Sequence, residues 1–301
     1  MSIVTKASAA VLAAVFAVSG PALAGSLGTA KPEDVGLSSE RLARIGPAMQ
    51  SHIDAGEIAG VVTLVARRGR IVHFEAYGYS DIAKRTPMRT DAIFGLASSS
   101  KPITAVAILM LLENGDLRLQ DPVSKFIPEF AAPPQVAVAK PGGAEGAYDL
   151  VPATRPITIH DLLTHGSGLL SGGLGQRAAG AAAQRTPQDT LATYIPRLGM
   201  VPLDFQPGTL WRYSGQAGFD VLSRIVEIVS KKPYDQFLRE RIFEPLAMPD
   251  TAFRYTGRQA ERLAAVHARR DGKLEATPRD LSNVVYFSGA GGLSASVEDY
   301  L

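Results

Sequence analysis

An α+β fold is predicted from three observations on this chain of 301 residues. Leu42, Ile45, Met49 and Ile53 recur at spacings of three and four, which is one amphipathic helix ending near Gly56, with Pro47 placed to bend it. Val61-Val-Thr-Leu-Val-Ala66 and Ile71-Val-His-Phe-Glu-Ala-Tyr77 flank Arg67-Arg-Gly-Arg70, the pattern of two antiparallel strands joined at a Gly turn. A long, mainly helical stretch follows, and a helix laid on an antiparallel sheet beside a helical block is an α+β arrangement.

The first residues precede that fold. Met1 to Ala24 carries one lysine, Lys6, then the apolar run Ala7 to Val18, a Gly20-Pro21 break and Ala22-Leu23-Ala24. This is the layout of a secretory signal peptide, and the run is too short for the roughly 20 apolar residues a membrane span needs. The mature chain is therefore expected to start at Gly25, in the periplasm or secreted, with no membrane span. The sequence has no cysteine, so stability must come from core packing, for which 46% hydrophobic residues suffice. A net charge of +2 without basic clusters gives no reason to expect nucleic acid or an anionic membrane as partner.

His73 alternates with apolar neighbours in the second strand and reads as a sheet residue. The stretch Ile93-Phe-Gly-Leu-Ala-Ser98-Ser-Ser-Lys101-Pro102-Ile-Thr-Ala-Val106 carries the chemistry. Ser98 and Lys101 are three apart, on one face of a helix starting near Ala97, with the hydroxyl in reach of the amine. A serine becomes a nucleophile when a neighbour takes its proton, although a capping serine fits the same four residues. Ile103, Val106 and Met110 continue the helix as a buried apolar element, and Asn114-Gly115 stops it.

From Ala131 to Pro156, and again from Gly172 to Pro187, the chain is rich in Ala, Pro and Gly and reads as long loops walling a cleft. Between them, Ile157-Thr-Ile-His160-Asp-Leu-Leu-Thr-His165-Gly-Ser167-Gly-Leu169 offers two histidines. Their i, i+5 spacing turns them about 140° apart on a helix, against a shared metal, and no cofactor is expected. Ser167 lacks the glycine two residues before it that a nucleophile elbow needs, so an α/β-hydrolase is unsupported. Phe205-Gln-Pro-Gly-Thr-Leu-Trp211-Arg-Tyr213-Ser-Gly215 then leads into a helix with Phe219, Leu222, Ile225 and Val229 on one face. Near the end, Ser294 or Ser296 before Val-Glu-Asp caps a last helix.

Phe94-Gly-Leu-Ala-Ser98-Ser-Ser-Lys101-Pro-Ile-Thr-Ala, with Leu112-Glu-Asn-Gly-Asp-Leu117 and Asp121-Pro-Val-Ser-Lys-Phe-Ile-Pro-Glu-Phe130, resembles the serine β-lactamase and penicillin-binding-protein superfamily. The resemblance is closest to the class C β-lactamase-like branch that includes the family VIII carboxylesterases, and it runs from about Leu37 to the last residue. It implies a β-lactamase/transpeptidase-like fold, an antiparallel sheet flanked by helices plus a mainly helical domain. The implied division is 1–24 signal peptide, 25–95 helix and hairpin of the α/β domain, 96–285 helical domain with the serine, and 286–301 a return to the α/β domain. The His160 to Leu169 run is a hallmark of the branch, where it shapes the core beneath the site.

The implied catalytic residues are Ser98, Lys101 and Tyr213, the last matching the tyrosine of the Tyr-x-Asn element. A phenol ionises about three units above neutrality, so it needs a neighbouring ammonium, and Lys101 and Tyr213 would titrate as a coupled pair. Gly215 stands where that element has its substrate-binding asparagine, a departure that weakens the antibiotic reading more than the ester one. A third element, a Gly-bearing strand donating to the oxyanion, is not found, and the chain reads as a copy whose last strands are missing. The expectation is a serine hydrolase acting on small-molecule esters, with β-lactam amides a further candidate substrate. A β-lactamase, a D-Ala-D-Ala-type peptidase, a penicillin- or peptidoglycan-binding sensor and a non-catalytic remnant stand as alternatives.

Overall fold

The computed structural model describes residues 27–301 apart from Pro133, so the predicted signal peptide lies outside the described residues. The single helix expected around Ile45 is two, α1 (Ser39–Leu42) and α2 (Ile45–Asp54). Ser38 caps α1 by accepting the Arg41 N–H at 3.3 Å. Pro47 sits in the first turn of α2 and has no N–H to give the Ala43 carbonyl, so the helical ladder cannot run through from α1.

Strand β1 (Gly60–Arg67) pairs antiparallel with β2 (Arg70–Asp81), from Gly60 opposite Gly78 to Arg67 opposite Arg70. Arg68 and Gly69 turn the chain with φ of 53° and 68°, the left-handed pair that a two-residue hairpin needs to match strand twist. The His73 side chain is 7% exposed and bonds Thr63 Oγ1 at 2.7 Å, so it is a sheet residue. β2 continues past the predicted Tyr77 to pair with β3 (Thr86–Pro87), and β4 (Ile93–Gly95) delivers the chain to the helical block.

A 3-10 turn at Ala97–Ser99 opens into α3 (Ser100–Glu113). Its buried face is Ile103, Thr104, Ala107, Ile108 and Leu111, whereas Val106, expected to share the face of Ile103, is 46% exposed. Apolar residues lie almost all round this helix, so their spacing does not select one side.

The predicted loop 131–156 holds a hairpin, β5 (Gln135–Ala139) with β6 (Tyr148–Pro152). Its strands are short, and Leu203, remote in sequence, completes the pairing: Ala137 donates to the Leu203 carbonyl at 3.0 Å and Leu203 donates to that of Gln135 at 2.7 Å. α4 (Ile159–Leu163) begins at a reciprocal cap between Thr158 and Asp161. The second predicted loop contains α5 (Leu174–Ala178) and a 3-10 turn at Gly180–Ala183. α6 (Leu191–Tyr194), α7 (Ala217–Ser230), α8 (Tyr234–Leu238) and α9 (Gly257–Ala260) follow.

Ile108, Leu162, Leu222, Ile225 and Tyr234, all fully buried, centre one core where α3, α4, α7 and α8 meet. A hairpin of β7 (Val266–Arg270) and β8 (Lys273–Thr277) precedes the return to β4. There β9 (Ser294–Ser296) pairs Ser294 with Gly95 and Ser296 with Ile93, and Ser296 caps α10 (Val297–Tyr300). This return lays residues 286–293 over the first turn of α3. Among the described residues no helix is long and apolar enough to cross a membrane.

Candidate active site

Ser98 stands at the joint between β4 and α3, and the joint is pinned from three sides. Leu96 donates to the Leu293 carbonyl at 2.9 Å, Leu293 donates to Ser100 Oγ at 3.3 Å, and Tyr300 donates to the Ser99 carbonyl at 2.8 Å. Ala97, immediately before the serine, has φ of 45°, a left-handed conformation that costs a non-glycine residue about 1 to 3 kcal/mol. The surrounding bonds over-determine that turn, and it presents Ser98 at the helix start.

The structure brings the three predicted residues together. Lys101 Nζ donates to Ser98 Oγ at 3.1 Å, and the Tyr213 hydroxyl donates to the same oxygen at 2.7 Å. Lys101 is 6% exposed, and its ammonium also donates to the carbonyls of Gly215 and Ala290, each at 2.8 Å. An ammonium has three N–H groups and no acceptor site, and here all three have partners. The charge further lies 5.0 Å from the Tyr213 ring centre and 5.7 Å from that of Phe219. Lys101, and after it the Ser98 hydroxyl, holds the Tyr213 phenol below its ordinary range.

The Ser98–Lys101 spacing works because α3 begins here. Tyr213 arrives from the loop ahead of α7, which α4 and the turn after it hold in place. His165, with φ of 58°, ends that turn: its carbonyl accepts the Arg212 N–H at 3.2 Å and its Nδ1 accepts the Ser214 N–H at 3.3 Å. Its ring lies 4.6 Å from the Tyr213 ring and 5.4 Å from Phe219. Burial, and secondarily the Lys101 charge, pushes the His165 imidazole below its ordinary range, which keeps it a neutral acceptor. His160 points to solvent from α4, so the two histidines do not converge. Among the described residues no group of three His, Cys, Asp or Glu side chains could hold a metal ion.

Gly215 contributes its carbonyl to Lys101, and a Cβ built on it would meet nothing within 4 Å. Ala290 and Gly215 act through main-chain oxygens, which leave no signature in residue type, and both were missed as Lys101 partners in the sequence. The tilted contact of the His165 ring with Tyr213 was also missed, because it joins segments remote in sequence.

An antiparallel sheet feeding a buried helix, with serine, lysine and tyrosine oxygens and nitrogens converging at the joint, defines the β-lactamase/transpeptidase-like class. The chain belongs to the beta-lactamase family, whose model matches residues 45–301. It is 36% identical over 260 residues to an uncharacterized protein of Mycobacterium tuberculosis, covering 82% of this chain and 62% of that one. It is 34% identical to the esterase EstB of Burkholderia gladioli, covering 77% of this chain and 56% of EstB. The chain thus spans under two thirds of the length of these relatives. Among solved structures it resembles EstCE1, described as a hydrolase with promiscuous acyltransferase activity, with a TM-score of 0.73 at 28% identity, covering 86% of this chain and 70% of that one.

Proposed function

We propose that this protein is a serine hydrolase that forms an acyl-enzyme on Ser98 and cleaves carboxylic esters. The observation that carries this reading is the convergence of Lys101 Nζ and the Tyr213 hydroxyl on Ser98 Oγ. Lys101 Nζ already donates to Ser98 Oγ and to two carbonyls, so the roles divide. Lys101 supplies the positive field, and Tyr213, as phenolate, takes the Ser98 proton. The serine oxygen then attacks the ester carbon, and the Ser98 N–H, at the start of the helical segment, is the donor offered to the oxyanion. Tyr213 returns the proton to the departing alcohol, and water releases the acyl group by the same route. Neither metal nor organic cofactor is required by these steps.

Gly215 favours esters over β-lactams. A side-chain amide at this position would bind the acylamino group of a penicillin, and a site built around that bond penalises a substrate lacking it by about 1 to 3 kcal/mol. With glycine there the site has neither the gain nor the penalty. The likeness to EstB and EstCE1 supports the same choice. We further propose export to the periplasm or medium, on the strength of residues 1–24.

The test sets p-nitrophenyl butyrate beside a chromogenic cephalosporin. The expected kcat/KM for the ester is at least about tenfold higher, roughly 1.4 kcal/mol in the barrier, and Ser98→Ala removes both activities. Gly215→Asn, for which the structure has room, should narrow the gap by raising the cephalosporin rate. A cephalosporin rate equal to the ester rate in the wild type makes this a β-lactamase first. One equivalent of product without turnover makes it a penicillin-binding sensor.

A further inference from the structure

Asp220 is 3% exposed and lies in the first turn of α7, buried among apolar side chains, where an ionised carboxyl is unfavourable unless it is well bonded. Packing alone gives no reason for a carboxyl there. The three bonds it accepts come from one short segment: the Tyr286 hydroxyl at 2.9 Å on Oδ2, and the Ser288 hydroxyl at 2.6 Å and the Ala290 N–H at 3.2 Å on Oδ1. That segment belongs to no helix or strand, so side-chain bonds must supply what a ladder would. Gly289 lets it come down onto the core, since a side chain there would run into Ser223 and Thr104, and its carbonyl accepts from Thr104 Oγ1 at 2.8 Å. The next carbonyl, that of Ala290, is the one that accepts from Lys101 Nζ at 2.8 Å.

We propose that Asp220 is a positioning residue for the hydrolysis proposed above, anchoring segment 286–290 so that the Ala290 carbonyl holds the Lys101 ammonium against Ser98. One residue thus has its N–H on the buried carboxyl and its C=O on the active-site cation. Without the anchor, Lys101 loses a fixed acceptor and is less well placed against Ser98, and Tyr213 loses part of the field that stabilises its phenolate.

The other charged and titratable groups around these residues stay constant over the relevant pH range. His165, facing Tyr213 from the end of α4, is held neutral near pH 7 by burial and Lys101. Arg185, 4.0 Å over the Tyr286 ring, acts on Asp220 as a cation that does not deprotonate. Tyr194 from α6, Tyr234 from α8 and Tyr286 are pushed upward by burial. Burial likewise pushes the Asp220 carboxyl upward, against its three bonds. The Tyr213 phenol, held down by Lys101, is therefore the group whose titration reports a change at Asp220.

The experiment compares wild type, Asp220→Ala and Asp220→Asn in the full chain, with tyrosines labelled at 13Cζ and the Tyr213 signal assigned through Tyr213→Phe. In Asp220→Ala the Tyr213 titration should move upward by at least about half a pH unit. The kcat for p-nitrophenyl butyrate should fall about 100-fold with KM within about threefold of wild type. Asparagine keeps an oxygen for Ala290 and Ser288, so Asp220→Asn should recover the titration and bring kcat to within about tenfold. A folded Asp220→Ala whose Tyr213 titrates as in wild type overturns the proposal, whether or not kcat falls. If Asp220→Ala loses its native circular dichroism, Ser288→Ala and Tyr286→Phe, which leave the carboxyl in place, take over the same readout. An upward shift in either supports the anchor, and no shift in both overturns it. The titration needs no substrate, so a wild type without ester turnover counts against the hydrolase reading, while the role of Asp220 is still decided by the titration.

Discussion

Lys101 has three hydrogens and three acceptors, Ser98 Oγ, the Gly215 carbonyl and the Ala290 carbonyl, spread around a tetrahedral nitrogen. A guanidinium is planar, longer and forked, so it cannot meet three acceptors disposed about a point. Lys101→Arg keeps the charge and breaks that geometry, and it should lower kcat for p-nitrophenyl butyrate by at least about 100-fold while the protein still melts cooperatively. A variant retaining most of its turnover would show that charge alone suffices. At this scale the sequence exposes what is local. Ser98 and Lys101 meet because residues three apart share a helix face, and nothing beyond the chain nearby is needed. Tyr213 required the resemblance, because a tyrosine in a loop has no spacing to announce it. The Ala290 carbonyl, 189 residues from Lys101, is carried by the fold alone.

Elements were readable where one physical signal dominated. The β1–β2 hairpin combines apolar strands with an Arg-Gly turn that tolerates positive φ, and each part points the same way. The β5–β6 hairpin hid in a segment rich in Ala, Pro and Gly because its stability comes from pairing with Leu203, a contact that composition cannot carry. In α3 the existence of the helix was plain and its buried face was not. The contrast can be measured. Ile108 is fully buried in the core, so Ile108→Ala should cost about 2 to 5 kcal/mol by urea unfolding. Val106→Ala, on the exposed side, should stay within about 1 kcal/mol of wild type. Equal losses at the two positions would mean that α3 is covered on both sides in solution.

Over the whole molecule, β9 closes a circuit: it pairs with β4, which precedes Ser98, and draws residues 286–293 over the turn that presents Ser98. The site is thus assembled from distant parts of the chain, and a folded sheet and helical block are both conditions for it. With no cysteine the chain makes that assembly without disulfides, a composition that places no redox demand on the compartment where it folds. The proposed export rests instead on residues 1–24, which lie outside the described residues. On that proposal Ala7 to Val18 is the apolar run of a leader, shorter than the roughly 20 residues of a bilayer span, Gly20-Pro21 ends it, and Ala22-Leu23-Ala24 is the cleavage site. Removal of that segment would take Lys6 with it and leave a formal charge one unit lower than the +2 of the full sequence. Protein recovered from the periplasm or medium after expression with its own leader should therefore begin at Gly25 on N-terminal sequencing, while unprocessed chain starting at Met1 stays with the cells. Recovery of exported protein that still begins at Met1 would show that the segment directs the chain outward without being cleaved, and the proposed signal peptide would have to be given up.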